Sequence, residues 1–521
     1  MLFNSFSFIF VFLPIALIGF YLIGGRGHKQ AAITWLVGAS LLFYSLWNPI
    51  YLWLLLSSIL FNYALGIALA NKEGISSKKL LLIIGIAINL ILLGYFKYAD
   101  FFIHEILFVI ELDYNFEKII LPLAISFFTF QQIAYLVDAY KGLTREYSFL
   151  HYCLFVTFFP QLIAGPIVHH KEMLPQFAKN FIYNLNYSCL ALGIAIFSIG
   201  LFKKVVLADG VSEYATPVFT SAENGLALSF VEAWCGALAY TFQLYFDFSG
   251  YSDMAIGLAR MFGISLPLNF QSPYKAYNII EFWRRWHITL SRFLRDYLYI
   301  PLGGNRKGEA HRYTNLLITM LLGGLWHGAG WTYIFWGGLH GFFLIVNHAW
   351  RGFCHSMAYS SNKSSWFGRG IARVLTFIAI VIGWVFFRAE SMNGAMSILS
   401  SMAGYNGISL PMMLENELDM LAPWVNISSL SFEGIGPNNL ANFSQFVKQL
   451  PMLLFIVWFL PNTQEIMKHH QPSIKVIKPQ YFNWLQWDIN YRCLFINIIV
   501  LAYVFWAMSA SNISEFLYFQ F

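Results

Sequence analysis

Apolar residues run in blocks separated by short polar stretches, and many blocks reach the length of about 17–25 residues that lets a helix cross a bilayer. Such blocks lie near residues 5–24, 31–48, 50–70, 79–96, 119–138, 148–165, 187–207, 226–246, 313–328, 330–349, 370–388, 450–464 and 493–510. Several contain Gly, Pro or charge, which predicts broken or re-entrant helices. Such backbone is stable at membrane depth only where protein or a water-filled cavity surrounds it. The pattern predicts an all-α integral membrane protein of about 10–13 helical elements. With no repeat, linker or second soluble region in sight, residues 1–521 read as one polytopic unit.

Composition agrees. Of the 521 residues, 58% are hydrophobic, 19% aromatic and only 11% charged, against about 25% charged in a soluble domain. The first block, MLFNSFSFIFVFLPIALIGFYLIGG, has neither a basic leader nor a small-residue cleavage site, so it reads as a retained span. Cys153, Cys189, Cys235, Cys354 and Cys493 stand singly, without the spacing of a disulfide framework or a metal site. The basic clusters lie against membrane blocks, where orientation explains them better than nucleic acid does. Arg26, Lys29, Lys72, Lys78 and Lys79 alternate with the short loop at Asn48–Pro49 and the acidic run Asp100, Glu105, Glu111 and Asp113. That alternation places the N-terminus on the outer side; the dense basic region of Arg284–Arg312 then falls in the cytoplasm, the polar loop 390–448 outside, residues 466–492 with Lys468, Lys475, Lys478 and Arg492 inside, and the C-terminus outside.

The chemistry concentrates in residues 281–331, where a basic, Trp-rich segment leads into a glycine-rich apolar block carrying His327. Projected as one helix, residues 283–297 put Trp283, Trp286, Leu290, Phe293, Leu294 and Tyr297 on one face. Arg284, Ser291 and Arg295 fall on another, with His287 at the border. That face suits an interfacial anchor helix. Equally, Arg284, Arg285 and Arg295 suit the phosphates of an anionic donor. A histidine in an apolar block is costly and faces a cavity, a partner or a substrate path. Its neutral imidazole can serve as general base towards a hydroxyl, while Gly323, Gly324, Gly328 and Gly330 permit close backbone approach or a helix break. The bland alternative is a hydrogen-bonded packing histidine, and the same argument is weaker for His340 and His348. Asp247, in YFDFSGYSD, could bond Tyr251 one turn on or balance a nearby arginine. Asp138, Lys203 and Lys204 read as buried partners or snorkelling ends.

Longer strings carry a resemblance. FNSFSFIFVFLPI, ISFFTFQQIAYLVDAYKG (125–142), FPQLIAGPIVHHKEMLPQF (159–177), YFDFSGYSDMAIGLARMFG (245–263), FWRRWHITLSRFLRDYLYIPLGGNR and GLWHGAGWTYIFWGGLHG (324–341) follow in order along the chain. Together they resemble the membrane-bound O-acyltransferases (MBOAT family) of the bacterial alginate O-acetylase type, over essentially the full length. The resemblance implies a ring of tilted spanning and re-entrant helices around a thin central tunnel. It implies that His327, in WHG, is the catalytic histidine and His287 the second one; beside them, Trp326, Asp247, Arg284, Arg285 and Arg295 are the substrate-binding candidates. It also implies acetyl-coenzyme A as a cytoplasmic donor, no bound cofactor or metal, and a periplasmic SGNH-type partner that acetylates a polysaccharide such as alginate. The setting is the lipid of a bacterial inner membrane.

The terminal stretch Phe516-Leu-Tyr-Phe-Gln-Phe521 resembles the F-x-Y-x-x-F tail associated with such export systems, carried on a separate small protein in the D-alanylation relatives. Within the resemblance, the hydroxyl of Tyr518 becomes a covalent acyl relay; without it, an aromatic interfacial tail suffices. D-alanyl transfer, fatty acyl transfer and, in another class, a proton-coupled transporter remain alternatives. A transporter often shows paired broken helices in two related halves, and no such symmetry is visible here.

Overall fold

The computed structural model describes residues 1–71, 74–110, 119–144, 148–357, 365–407, 443–474, 485–510 and 514–517. Among them the regular structure is helical and no strand occurs, as the block pattern predicts. A π turn, Phe8–Phe12, leads into α1 (Leu13–Gly25), followed by α2 (Lys29–Ser45), α3 (Ile50–Asn71), α4 (Ile75–Val109) and α5 (Ile125–Tyr140). The short α6 (Phe149–Thr157), α7 (Phe159–Leu162) and α8 (His170–Phe177) precede α9 (Tyr187–Phe202), which runs through a π-helical stretch, Lys203–Ala208, into α10 (Asp209–Glu223). Then come α11 (Phe230–Met261), α12 (Ile279–Arg285), α13 (Ile288–Leu294), α14 (Glu309–His327), α15 (Trp331–Ser356), α16 (Trp366–Arg388) and α17 (Met392–Met402). The last elements are α18 (Phe443–Trp458), α19 (Thr463–Ile466) and α20 (Tyr491–Ala510).

Among the described residues, six stretches are long and apolar enough to cross a membrane by themselves: Phe8–Gly25, Ile50–Asn71, Ile75–Leu107, Tyr187–Glu223, Trp366–Arg388 and Tyr491–Ala510. The remaining blocks form shorter, interrupted or more polar helices. The block at 148–165, for example, divides into α6 and α7. Much of the polar loop 390–448 lies outside the described residues.

Two kinds of contact hold the helices at close range. On α9 and α11, glycines recur seven residues apart, about two helical turns, and meet in reciprocal pairs. A Cβ on Gly200 would lie 2.6 Å from the Gly250 carbonyl oxygen, and one on Gly250 2.7 Å from that of Gly200. Gly193 and Gly257 repeat the arrangement at 2.7 Å each way. Small residues let two backbones touch where apolar lipid supplies no hydrophobic drive for association. The second kind is polar. Asn62 on α3 and Asn89 on α4 exchange amide hydrogen bonds of 3.1 and 2.7 Å, fully inside the bundle.

Candidate functional site

His327 is the last residue of α14. The chain turns through Gly328-Ala329-Gly330 and returns as α15, so α14 and α15 form a tight hairpin. Its closeness rests on Gly324 and Gly337: a Cβ on the first would fall 2.2 Å from the Tyr333 carbonyl oxygen, and on the second 2.3 Å from that of Met320. The helix end is held from outside by α4. There the Lys97 ammonium donates to the carbonyls of Trp326 and, at 3.1 Å, His327, while the Tyr98 hydroxyl donates to that of Leu325 at 2.7 Å. A cation at the C-terminus satisfies carbonyls that the helix cannot and complements its dipole. The backbone that carries His327 is thereby fixed.

Aromatic rings enclose the imidazole. Trp336 stands edge-on to it at 5.1 Å, Phe387 at 5.1 Å and Trp326 at 4.9 Å, and the residue is only 3% exposed. His340, one turn beyond Trp336 on α15, is likewise buried, with its ring 4.9 Å from that of Trp336 and 5.3 Å from that of Trp283.

His287 sits differently from the single-helix projection. Residues 283–297 do not form one helix: α12 ends at Arg285, α13 begins at Ile288, and a π turn, Arg295–Tyr299, follows. His287 occupies the break, with φ 42° and ψ 54°, a left-handed conformation uncommon outside glycine. The break forms because residues 269–271 pair with the backbone there: Ile288 N–H donates to the Asn269 carbonyl at 2.9 Å, and Gln271 N–H to that of Arg285 at 2.9 Å. The apolar face of the projection is still largely buried, but not as an interfacial anchor, since Trp286 is 1% exposed and packs 4.9 Å from Trp384 inside the bundle.

The Asn269 side chain then sets the imidazole's proton. Its Oδ1 accepts from Thr289 N–H at 3.3 Å and from Thr289 Oγ1 at 2.9 Å, which identifies that atom as the oxygen. Because it lies 3.1 Å from His287 Nδ1, that nitrogen carries the proton and Nε2 carries the lone pair. The Trp326 ring neighbours both histidines, 4.9 Å from the His327 ring and 6.2 Å from that of His287, and stacks on Phe130 at 5.3 Å. Trp326, His327 and His287 therefore come together.

Two of the three arginines already hold carboxylates. Arg285 is bonded to Glu281 at 2.6 Å and Arg295 to Asp296 at 2.7 Å, whereas Arg284 is exposed. Asp247 also departs from expectation. α11 does continue through Gly250, but the carboxylate balances a lysine rather than an arginine: Lys204 Nζ lies 2.7 Å from Asp247 Oδ1. Half-buried Lys203 pairs with Asp253 at 2.6 Å, and the Tyr297 hydroxyl donates to buried Asp138 at 2.9 Å, so both charged groups are partnered inside the fold. Tyr518 lies outside the described residues. Sequence reasoning missed Lys97 and Asn269. A lysine inside the apolar run LLGYFKYADFF was a readable signal for the first, whereas Asn269 carried none.

Comparison with known proteins bears on this geometry. The sequence model of MBOAT, the membrane-bound O-acyltransferase family, matches residues 138–387, which include both histidines. Over its whole length the chain is 43% identical to a protein named peptidoglycan O-acetyltransferase from Helicobacter pylori, covering 98% of it. It is 41% identical to "Probable alginate O-acetylase" of Pseudomonas putida, over 78% of this chain and 81% of that one. A teichoic acid D-alanyltransferase of Bacillus subtilis is 27% identical over 52% of this chain and 69% of its own length.

Proposed function

Since the chain belongs to the membrane-bound O-acyltransferase family, we propose that it moves an acetyl group from a cytoplasmic thioester, acetyl-coenzyme A, to a hydroxyl on the far side of a bacterial inner membrane. The group is destined for O-acetylation of an envelope polysaccharide. Acetate rather than D-alanine is supported by the full-length match to a protein named as an O-acetyltransferase, compared with a partial, weaker match to a D-alanyltransferase. That same match favours a peptidoglycan acceptor over alginate. The observation that carries the reading is His327, placed at a buried helix end whose last carbonyls Lys97 holds.

In this reading His327 takes the proton of the attacking hydroxyl as its oxygen bonds the thioester carbonyl carbon. The C–S bond then breaks and the departing thiolate recovers the proton from the imidazolium. Thioesters are activated enough for this without a metal. His287 offers Nε2 towards the donor and orients it, with the Trp326 ring beside both imidazoles. Arg284 has no carboxylate partner among the described residues and suits the donor's phosphates better than Arg285 and Arg295, which already hold carboxylates. The accepting hydroxyl is that of Tyr518, from which a periplasmic SGNH-type partner collects the acetyl group. Both termini lie outside in this arrangement.

The test uses purified protein in detergent with acetyl-labelled coenzyme A. Covalent label on the wild type, absent from both His327→Ala and Tyr518→Phe, is the expected result. Label retained by Tyr518→Phe but lost in His327→Ala sinks the tyrosine relay alone. Thioester cleavage unaffected by His327→Ala overturns the catalytic assignment.

A further inference from the structure

A second buried charged cluster lies apart from the histidines. Lys204, 2% exposed, sits where the helix between α9 and α10 widens into π geometry, a local distortion frequent at functional sites. Its ammonium has three protons to place. Two go to carboxylates, Asp247 at 2.7 Å and Asp209 at 2.8 Å. The third goes to a main-chain carbonyl, that of Glu515, at 3.0 Å and 311 residues further along the chain. Asp247 is engaged from the other side as well, because its Oδ2 accepts the Leu517 N–H at 3.1 Å.

The same short segment makes two further contacts. The Ser514 carbonyl accepts from Asn4 Nδ2 at 3.1 Å. Phe516, 1% exposed, inserts edge-on to Tyr251 at 4.3 Å, with the Lys204 ammonium 5.0 Å from its ring centroid. Tyr251 is backed in turn by Phe3, stacked at 5.0 Å. The segment is thus read through main-chain groups at 514, 515 and 517 and one ring at 516, while the Glu515 side chain stays exposed.

We propose that Lys204 and Asp247 are positioning residues: with Tyr251 they form a clamp that docks Ser514–Leu517 and so fixes the register of the tail relative to the two histidines. The link to the site is direct. Asp247 holds the tail, and its neighbour Phe248 meets the His287 ring edge-on at 4.8 Å. The buried Phe516 ring selects the register and the main-chain hydrogen bonds at 515 and 517 hold the segment in it, so the residue after Leu517 is delivered from a fixed point. The purpose of that delivery rests on the acyl-relay reading of Tyr518; the clamp itself does not.

Hydrogen–deuterium exchange of the full-length protein in detergent tests the clamp. The Leu517 amide is expected to exchange at least about 100-fold more slowly than in a free peptide, as a hydrogen-bonded buried amide does. Phe516→Ala, which touches only the tail and leaves the bundle able to fold, removes that protection while core amides stay unchanged. Glu515→Ala leaves it intact. Free exchange in the wild type, or full protection in Phe516→Ala, overturns the proposal. Inserting one glycine after Leu517 should leave the Leu517 amide slow yet lower tail acetylation by about 100-fold, the scale on which a small misplacement acts. Undiminished acetylation in that variant refutes the register role. A protected Leu517 with no label on Tyr518 keeps the clamp and sinks the relay; label on Tyr518 with freely exchanging Leu517 does the reverse.

Discussion

Lys97 spends its charge on the backbone of another helix. Its ammonium closes the C-terminus of α14, so the residue that bears the proposed base is held by a group 230 positions earlier in the chain. Lys97→Met keeps much of the apolar stem and removes the donors, leaving two buried carbonyls less satisfied. We expect a loss of about 1–3 kcal/mol of stability, read as a lower unfolding temperature in detergent, together with slower acetyl transfer. Asn269→Leu acts on the other histidine. It takes away the acceptor that sets the His287 proton and leaves Thr289 N–H without that partner. Initial rates at saturating donor should fall by about tenfold or more, within the range by which positioned proton-transfer groups contribute. An unchanged rate would mean that the tautomer of His287 is irrelevant. On α8, burial works to raise the Glu172 carboxyl, but the bidentate Arg292 guanidinium, at 2.5 and 2.9 Å, outweighs it and holds the group below its usual 4.5. A depressed folded pKa contributes stability that is present above the unfolded value and is lost as pH falls through the folded one. Arg292→Gln should therefore be less stable than wild type at neutral pH. The gap should close as the medium is taken well below about pH 4, once Glu172 is protonated in both states. A gap independent of pH would assign the effect to packing.

Between elements, the closest approach is made by residues with no side chain. The glycine pairs of α9 and α11 put backbone against backbone, and Lys203 and Lys204 lie on the turn after Gly200. Gly250→Leu would drive a side chain into the Gly200 carbonyl, and the helices would have to part. Overpacking costs about 1–3 kcal/mol where neighbours can shift, and here the obstacle is main chain. We expect little monodisperse protein on size exclusion. Leucine at Gly210, where an added Cβ meets nothing within 4 Å, is the control that should fold. The seven-residue spacing of 193 with 200 and of 250 with 257 was readable in the sequence; that the two pairs face each other was not. The break at His287 was hidden for a related reason. Helical projection assumes that the helix continues, and continuity was ended by strand-like pairing with residues 269–271, which nothing in local periodicity reports.

At the scale of the whole molecule, the first turns of the chain meet its last described segments. Asn4 bonds the Ser514 carbonyl, and Phe6 and Phe10 pack 6.0 and 5.2 Å from Phe505 on α20. Topology reporters fused at residue 1 and after residue 521 should therefore report the same side of the membrane, whichever side that is. Opposite signals would contradict the packing.

Hydropathy and the strings around His327 sufficed to identify a helical membrane acyltransferase, because hydrophobic length and motif spelling are local properties read position by position. The pairing of Arg285 with Glu281 was also within reach, being one helical turn apart. Partners far apart in sequence were decided only by tertiary structure: Lys97 with the end of α14, Asn269 with His287, and Lys204 and Asp247 with Glu515 and Leu517. In a buried, low-dielectric interior each polar group must find a complement. Which complement it finds depends on how helices cross, and that is a property of the packed chain rather than of any stretch of it.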